Sequence, residues 1–148
     1  MENTEYADIN RLIVEQMADA MIYSDKEGII RGWNAAAEAL FGYPKEGAIG
    51  QSLDLIIPEH LREAHWSGFN RAMASGKTRL EGHAAITRSL THSKGAIYVE
   101  MSFAVVHNGN GKVIGSVAVA RDATQRRQNE RELRERLGAL EKQQNGKP

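Results

Sequence analysis

The sequence predicts an α+β fold built on a five-stranded antiparallel sheet with helices on one face, and three observations predict it. Apolar runs follow the order strand, strand, short helices, long helix and three strands, which is the order of an α+β domain rather than of alternating βα units. Asn108-Gly109-Asn110-Gly111 joins two long alternating runs as a hairpin turn, because Asn and Gly both tolerate positive φ. Val99, Met101, Phe103 and Val105 alternate with Glu100 and Ser102, which makes one strand face an apolar wall; Val117 and Val119 are expected to extend it. A pocket between the long helix and the inner sheet face is then the natural place for a ligand.

The elements follow in order. Ile9, Leu12, Ile13 and Met17 are spaced for an amphipathic N-terminal helix from about Tyr6 to Met17, expected to cover a neighbouring surface. Met21–Ser24 and Gly28–Trp33 read as strands joined by the turn Asp25-Lys26-Glu27-Gly28. Asn34 can N-cap a short helix, Ala35 to Phe41, which Gly42 ends and Pro44 prevents from resuming. After short loops and helical turns, Pro58 suits the first turn of a helix running to about Ala74, where Ser75-Gly76 breaks it. Strands are expected at Thr78 to Leu90, Ala96 to His107 and Lys112 to Arg121. Gly109, Gly111 and Gly115 are no phosphate loop, since no helix follows them. Asp122 and Gln125 have capping-box spacing at the head of a final helix, and Leu133, Leu137 and Leu140 continue it as a narrow stripe among dense charges. That stripe suits a short parallel coiled-coil linker that dimerises and passes on a signal. The expected organisation is an N-terminal helix at 1–18, the sheet domain at 19–122 and a helical signalling linker at 123–148.

Composition narrows the function. Nineteen Lys and Arg balance nineteen Asp and Glu, so no net field draws the chain to nucleic acid or to an anionic membrane surface. Cysteine is absent, which excludes disulfides, thiolate metal sites, cysteine nucleophiles and cysteine-adduct photochemistry. No apolar run reaches signal-peptide or membrane-span length, so the expectation is a soluble, cytoplasmic protein without direct membrane contact. No nucleophile–base pair or paired acids stand out, and enzymatic activity is not expected of this chain.

His65 is the most informative single residue. Leu61, His65, Gly68, Phe69 and Ala72 share one helical stripe, so the imidazole should point into the domain. Two readings fit that placement: a core histidine satisfied by a backbone carbonyl, or a cofactor ligand. His60, His92 and His107 fall at a helix start, a turn and a strand end, and are read as solvent-facing.

Gly32-Trp33-Asn34-Ala35-Ala36-Ala37-Glu38 with Leu40-Phe41-Gly42-Tyr43, the Ile49-Gly50 step and Arg121-Asp122-Ala123-Thr124 resemble motifs of the PAS family of sensor domains, over about Met17 to Thr124. Ile57-Pro58-Glu59-His60-Leu61-Arg62-Glu63-Ala64-His65 resembles the heme-binding helix of FixL-type and Dos-type sensors, whose proximal iron ligand maps onto His65. Gly76-Lys77-Thr78-Arg79-Leu80-Glu81-Gly82 continues the Dos-type resemblance. The resemblance implies noncovalent heme b, since no CxxCH attachment site is present.

Two positions depart from the pattern. A Dos-type methionine ligand is replaced by His83, which makes a second imidazole the distal candidate and the iron six-coordinate and low-spin. Strand parity supports the other reading, an exposed strand histidine, unless a bulge at Gly82 or a loop through it intervenes. Two residues on, the arginine that hydrogen-bonds bound oxygen in both reference groups is replaced by Ala85. The resemblance places Arg71 and Arg79 at the heme propionates, with ordinary surface arginines as the alternative. Leu61, Phe69, Leu80, Val99, Met101 and Phe103 complete the expected cofactor wall. The expected function is a homodimeric sensor of redox state or of CO or NO, less of O2, paired through its N- and C-terminal helices. The alternatives are a PAS module for a flavin such as FAD or another small molecule, and a ligand-free dimerisation domain.

Overall fold

Asp25 and Gly28 make the first hairpin. In the computed structural model, which describes residues 2–93 and 95–146, Asp25 Oδ1 accepts the N–H groups of Glu27 and Ile29 at 3.0 Å each. Gly28 holds φ +78°, a conformation that favours glycine. The turn joins β1 (Ala20–Asp25) to β2 (Ile30–Trp33). Asn108 repeats the device between β4 (Gly95–His107) and β5 (Val113–Asp122), accepting the N–H groups of Asn110 and Lys112. With β3 (Ala85–Thr91) the strands form one five-stranded antiparallel sheet in the order β2-β1-β5-β4-β3.

The helices are α1 (Glu2–Gln16), α2 (Ala35–Phe41), α3 (Lys45–Ala48), α4 (Glu59–Ser75) and α5 (Thr124–Asn145), with a 3-10 turn at Leu53–Ile56. Asn34 locks α1, β1 and α2 together. Its Oδ1 accepts the N–H groups of Ala37 and Met21 at 2.9 Å, and its Nδ2 donates to the carbonyls of Val14 and Asp19 at 2.9 and 3.0 Å. The side chain is fully buried and all four bonds are made, so one residue caps α2, anchors β1 and pins the end of α1. Trp33 and Phe41 pack at 5.4 Å beside it, and with Ile22, Ile30 and Val99 they make the dry core beneath α2.

Gly115 sets how closely β1 and β5 approach. A Cβ there would lie 2.0 Å from the Ser24 carbonyl oxygen, which is backbone and has nowhere to go. Gly115→Ala is expected to cost about 3 kcal/mol or more by forcing the strands apart. Chemical denaturation reads this directly, and a loss below about 1 kcal/mol would show that the strand pair gives way easily.

Three expectations change. The strand expected from Thr78 begins only at Ala85, because Glu81 at φ +49° and Gly82 at φ +87° put two successive left-handed residues into the segment and end any extended run. Val117 and Val119 face away from the helices: the register pairs Phe103 with Ala118 and Val105 with Ser116, and directly opposed residues share a face. The capping box is half formed, since Asp122 Oδ1 accepts the Thr124 N–H at 2.8 Å while the Gln125 side chain turns to Asn129. Helix α1 forms as expected and is tied to Asn34 through the Val14 carbonyl, with Ile9, Leu12 and Ile13 exposed.

Candidate ligand site

Helix α4 owes its position to two residues of its first turns. Arg62 Nε donates to the Ile57 carbonyl at 3.1 Å and Nη2 to the Asp54 carbonyl at 3.3 Å, with the Asp54 carboxylate 3.8 Å away. Trp66 donates its indole N–H to Asp54 Oδ1 at 2.7 Å, and its ring lies so close to Gly28 that a Cβ there would sit 2.2 Å from it. The helix is thus clamped at one end to the 3-10 turn and the β1–β2 turn. Its stripe of Leu61, His65, Gly68, Phe69 and Ala72 then lies over the inner face of the sheet.

That inner face is built from small side chains. The register aligns Ala85 with Met101, Phe103 with Ala118, and Val105 with Ser116 and Ser24 across three strands. Ser24 and Ser116 join their hydroxyls at 3.1 Å, so the floor there is shallow and its polar atoms are satisfied. Helix and sheet cannot close on each other over such residues, and a cavity of about 720 Å³ remains between them. This lies within the range of small-molecule and cofactor sites, about 300–1,000 Å³.

His65 lines the cavity with one unusual property. Its Nδ1 is buried and has no hydrogen-bond partner. The ring stands edge-on to Trp66 at 4.8 Å and stacks with Phe69 at 5.9 Å, so aromatic packing fixes its plane without satisfying its nitrogen. Burial holds the imidazole below the ordinary histidine pKa, partly opposed by the Asp54 carboxylate. A neutral ring carries one lone pair free for a metal or a hydrogen-bond donor. The reading of a core histidine satisfied by a backbone carbonyl has no partner to support it.

The other expected residues divide. Leu61, Phe69, Arg71, Arg79, Leu80, Met101 and Phe103 line the cavity, as does Ala85. Val99 is fully buried behind the wall, in the core. His83 is exposed on the loop between α4 and β3 and is not among the lining residues, although Leu80 and Ala85 on either side of it are. His60, His92 and His107 are exposed. Sequence reasoning missed Met73, Lys77, Arg88 and the Ser24–Ser116 floor. Alternation of Ile22 and Ser24 along β1 was the available signal for the floor. No cluster of three or more His, Cys, Asp or Glu that could hold a bare metal ion occurs among the described residues.

The residues fit a heme-like group. Apolar walls suit a macrocycle, Arg71, Lys77 and Arg79 supply cations for carboxylates, and His65 places an imidazole on the wall.

One antiparallel sheet crossed by a clamped helix over a ligand-sized cavity, with a long helix leaving the last strand, is the plan of a sensor domain. The chain belongs to the PAS fold family, whose model matches residues 9–123. It is 26% identical over 134 residues to the signal transduction histidine-protein kinase AtoS of Escherichia coli, covering 89% of this chain and 21% of that protein. The sensor protein FixL of Bradyrhizobium diazoefficiens is 29% identical over 125 residues, 84% of this chain and 24% of that one. The oxygen sensor protein DosP of Escherichia coli is 30% identical over 110 residues, 74% and 13% respectively. The chain therefore spans less than a quarter of the length of these relatives. Among solved structures, the PAS domain of a protein from Colwellia psychrerythraea superposes with a TM-score of 0.71 at 23% identity, covering 81% of this chain and 98% of that one, and supports the fold. No helix among the described residues is long and apolar enough to cross a membrane.

Proposed function

We propose that this PAS domain binds b-type heme in the cavity beneath α4, with His65 as axial ligand and Arg71 and Arg79 holding the propionates. The observation that carries the reading is the His65 imidazole, held below the ordinary histidine pKa by burial and fixed edge-on to Trp66, on the wall of a 720 Å³ cavity. When bound, heme supplies a redox couple and a coordination position at which CO or NO can compete with a protein ligand.

His83 would be the second residue to hold the iron, provided its exposed loop folds over the cavity. Its loop is hinged at Glu81 and Gly82, both at positive φ, and leads directly into β3. Ala85 offers no hydrogen-bond donor to a polar gas, so redox state, CO or NO is favoured over O2 as the signal.

Movement of the His83 loop has a route to α5. Strand β3 pairs along β4 from Ala85 to Thr91, and β4 carries the contacts that hold the head of α5. The Tyr98 carbonyl accepts the Ala123 N–H at 2.9 Å, and Glu100 forms an ion pair with Arg126. Leu133, Leu137 and Leu140 are each 58% exposed, which suits pairing with the same helix of a second copy, and Tyr6, Ile9 and Leu12 of α1 offer a further exposed apolar set for pairing. The homodimer would pass the shift to an output domain, in a cytoplasmic setting consistent with the absence of cysteine.

Hemin titration followed by spectra of the oxidised, reduced and CO-treated protein tests the proposal. A Soret band with low-spin ferric and ferrous spectra is expected. Protein that stays colourless after hemin is added overturns it, and co-purified flavin or metabolite would assign the cavity to another ligand.

A further inference from the structure

A second groove, of about 360 Å³, lies between the first turn of α4, strands β3 and β4, and the head of α5. Its centre is the Tyr98 ring. Arg88 reaches over that ring with its guanidinium carbon 5.1 Å from the centroid, and Arg127 does the same at 5.7 Å. Two positive groups therefore meet on one phenol, and neither has a carboxylate within 4 Å among the described residues, whereas Arg121 and Arg126 nearby are both ion-paired. Glu130 lines the same groove, but its carboxylate is taken by Arg126 at 3.3 Å. His60 adds a further ring donor, and the Tyr98 hydroxyl has no partner in the described protein.

Two guanidinium groups each within 6 Å of one ring centroid repel each other, and an anion bound by both lowers that penalty. Planar guanidinium forks match the oxygens of a phosphoryl group, each able to donate two parallel hydrogen bonds. We propose that this groove is an anion site for a phosphoryl group, held by Arg88 and Arg127 with the Tyr98 hydroxyl and His60 as further donors. The group could be free pyrophosphate or the phosphoryl end of a nucleotide. Because Arg127 stands in the first turn of α5 and Arg88 on β3, an occupant would tie the sheet to the exit helix. His65 does not line this groove, although Arg88 borders the cavity as well, so the titrations are made on heme-free protein.

Calorimetric titration of the full chain with inorganic pyrophosphate and, separately, a nucleoside diphosphate at fixed ionic strength tests it. Saturable binding is expected, weakened about tenfold or more by Arg88→Gln or Arg127→Gln, the loss of a charge-assisted hydrogen bond. Arg88→Lys and Arg127→Lys should bind between the two extremes, since a point charge replaces a fork. Arg131→Gln removes the same charge further along α5 and should bind as wild type. The tighter of the two probes identifies the source of the phosphoryl group. No saturable binding by either probe, or equal loss in Arg131→Gln, overturns the proposal; circular dichroism verifies that each variant is folded.

Discussion

His65→Leu is expected to abolish heme uptake and, in the ligand-free protein, to raise stability by about 1 kcal/mol. The variant replaces a buried nitrogen that has no partner with an apolar side chain of similar size, on a wall already formed by Leu61, Phe69 and Ala72. Gain of stability with loss of binding is the signature of a residue held for a ligand rather than for the core. Thermal unfolding and hemin titration together check it. A destabilised variant that still takes up hemin with an unchanged spectrum would remove His65 from the site.

The same residue predicts a pH dependence. Its folded pKa lies below the ordinary histidine value of 6.5, so the unfolded chain takes up a proton that the buried ring refuses. Ligand-free wild type should lose stability as the pH falls below about 6.5, levelling off once the folded value is passed. His65→Leu should lack that part of the slope, and the difference between the two pH profiles isolates it from the carboxylates.

Asn34→Ala is expected to cost about 3–5 kcal/mol, a large share of the total for a domain of this size. The helix cap alone accounts for about 1 kcal/mol, and the variant also removes the partner of the Met21 N–H and of the carbonyls of Val14 and Asp19 in a part-buried setting, at roughly 1–3 kcal/mol each where water does not reach them. Asn34→Asp keeps the acceptor but sets a carboxylate against two carbonyl oxygens, so it should rescue little. Urea denaturation with near-equal m-values is the measurement. A loss below about 1 kcal/mol would mean that the three elements do not depend on this residue.

Local signals were legible where one residue type has one physical use. Asn34 before three alanines, Gly42 and Gly76 after apolar helical runs and the Asn108 turn all appear where expected, with Gly42 at φ +83° and Gly76 at φ +76°. The helical stripe that carries His65 was readable for the same reason, because spacing at 3.6 residues alone decides which side chains share a face. The start of β3 was not. A single glycine at position 82 marks a break, but the second left-handed residue is Glu81, which carries no such mark.

Strand register decided what periodicity could not. Alternation identifies two faces of β5 without saying which one meets the helices, and Val117 and Val119 were the more apolar choice. Pairing with β4 and β1 instead turns Ser116 and Ala118 inward, and those small residues make the cavity.

By itself the sequence determined the α+β class, the order of elements, their caps and the stripe bearing His65, because each depends on neighbours within a turn or two of chain. Only the tertiary structure decided that the His65 Nδ1 lacks a partner, that His65 stands on the wall of a 720 Å³ space and that Arg88 and Arg127 meet on Tyr98. These depend on contacts between distant segments, where what matters is the space and the partners that folding leaves around a side chain.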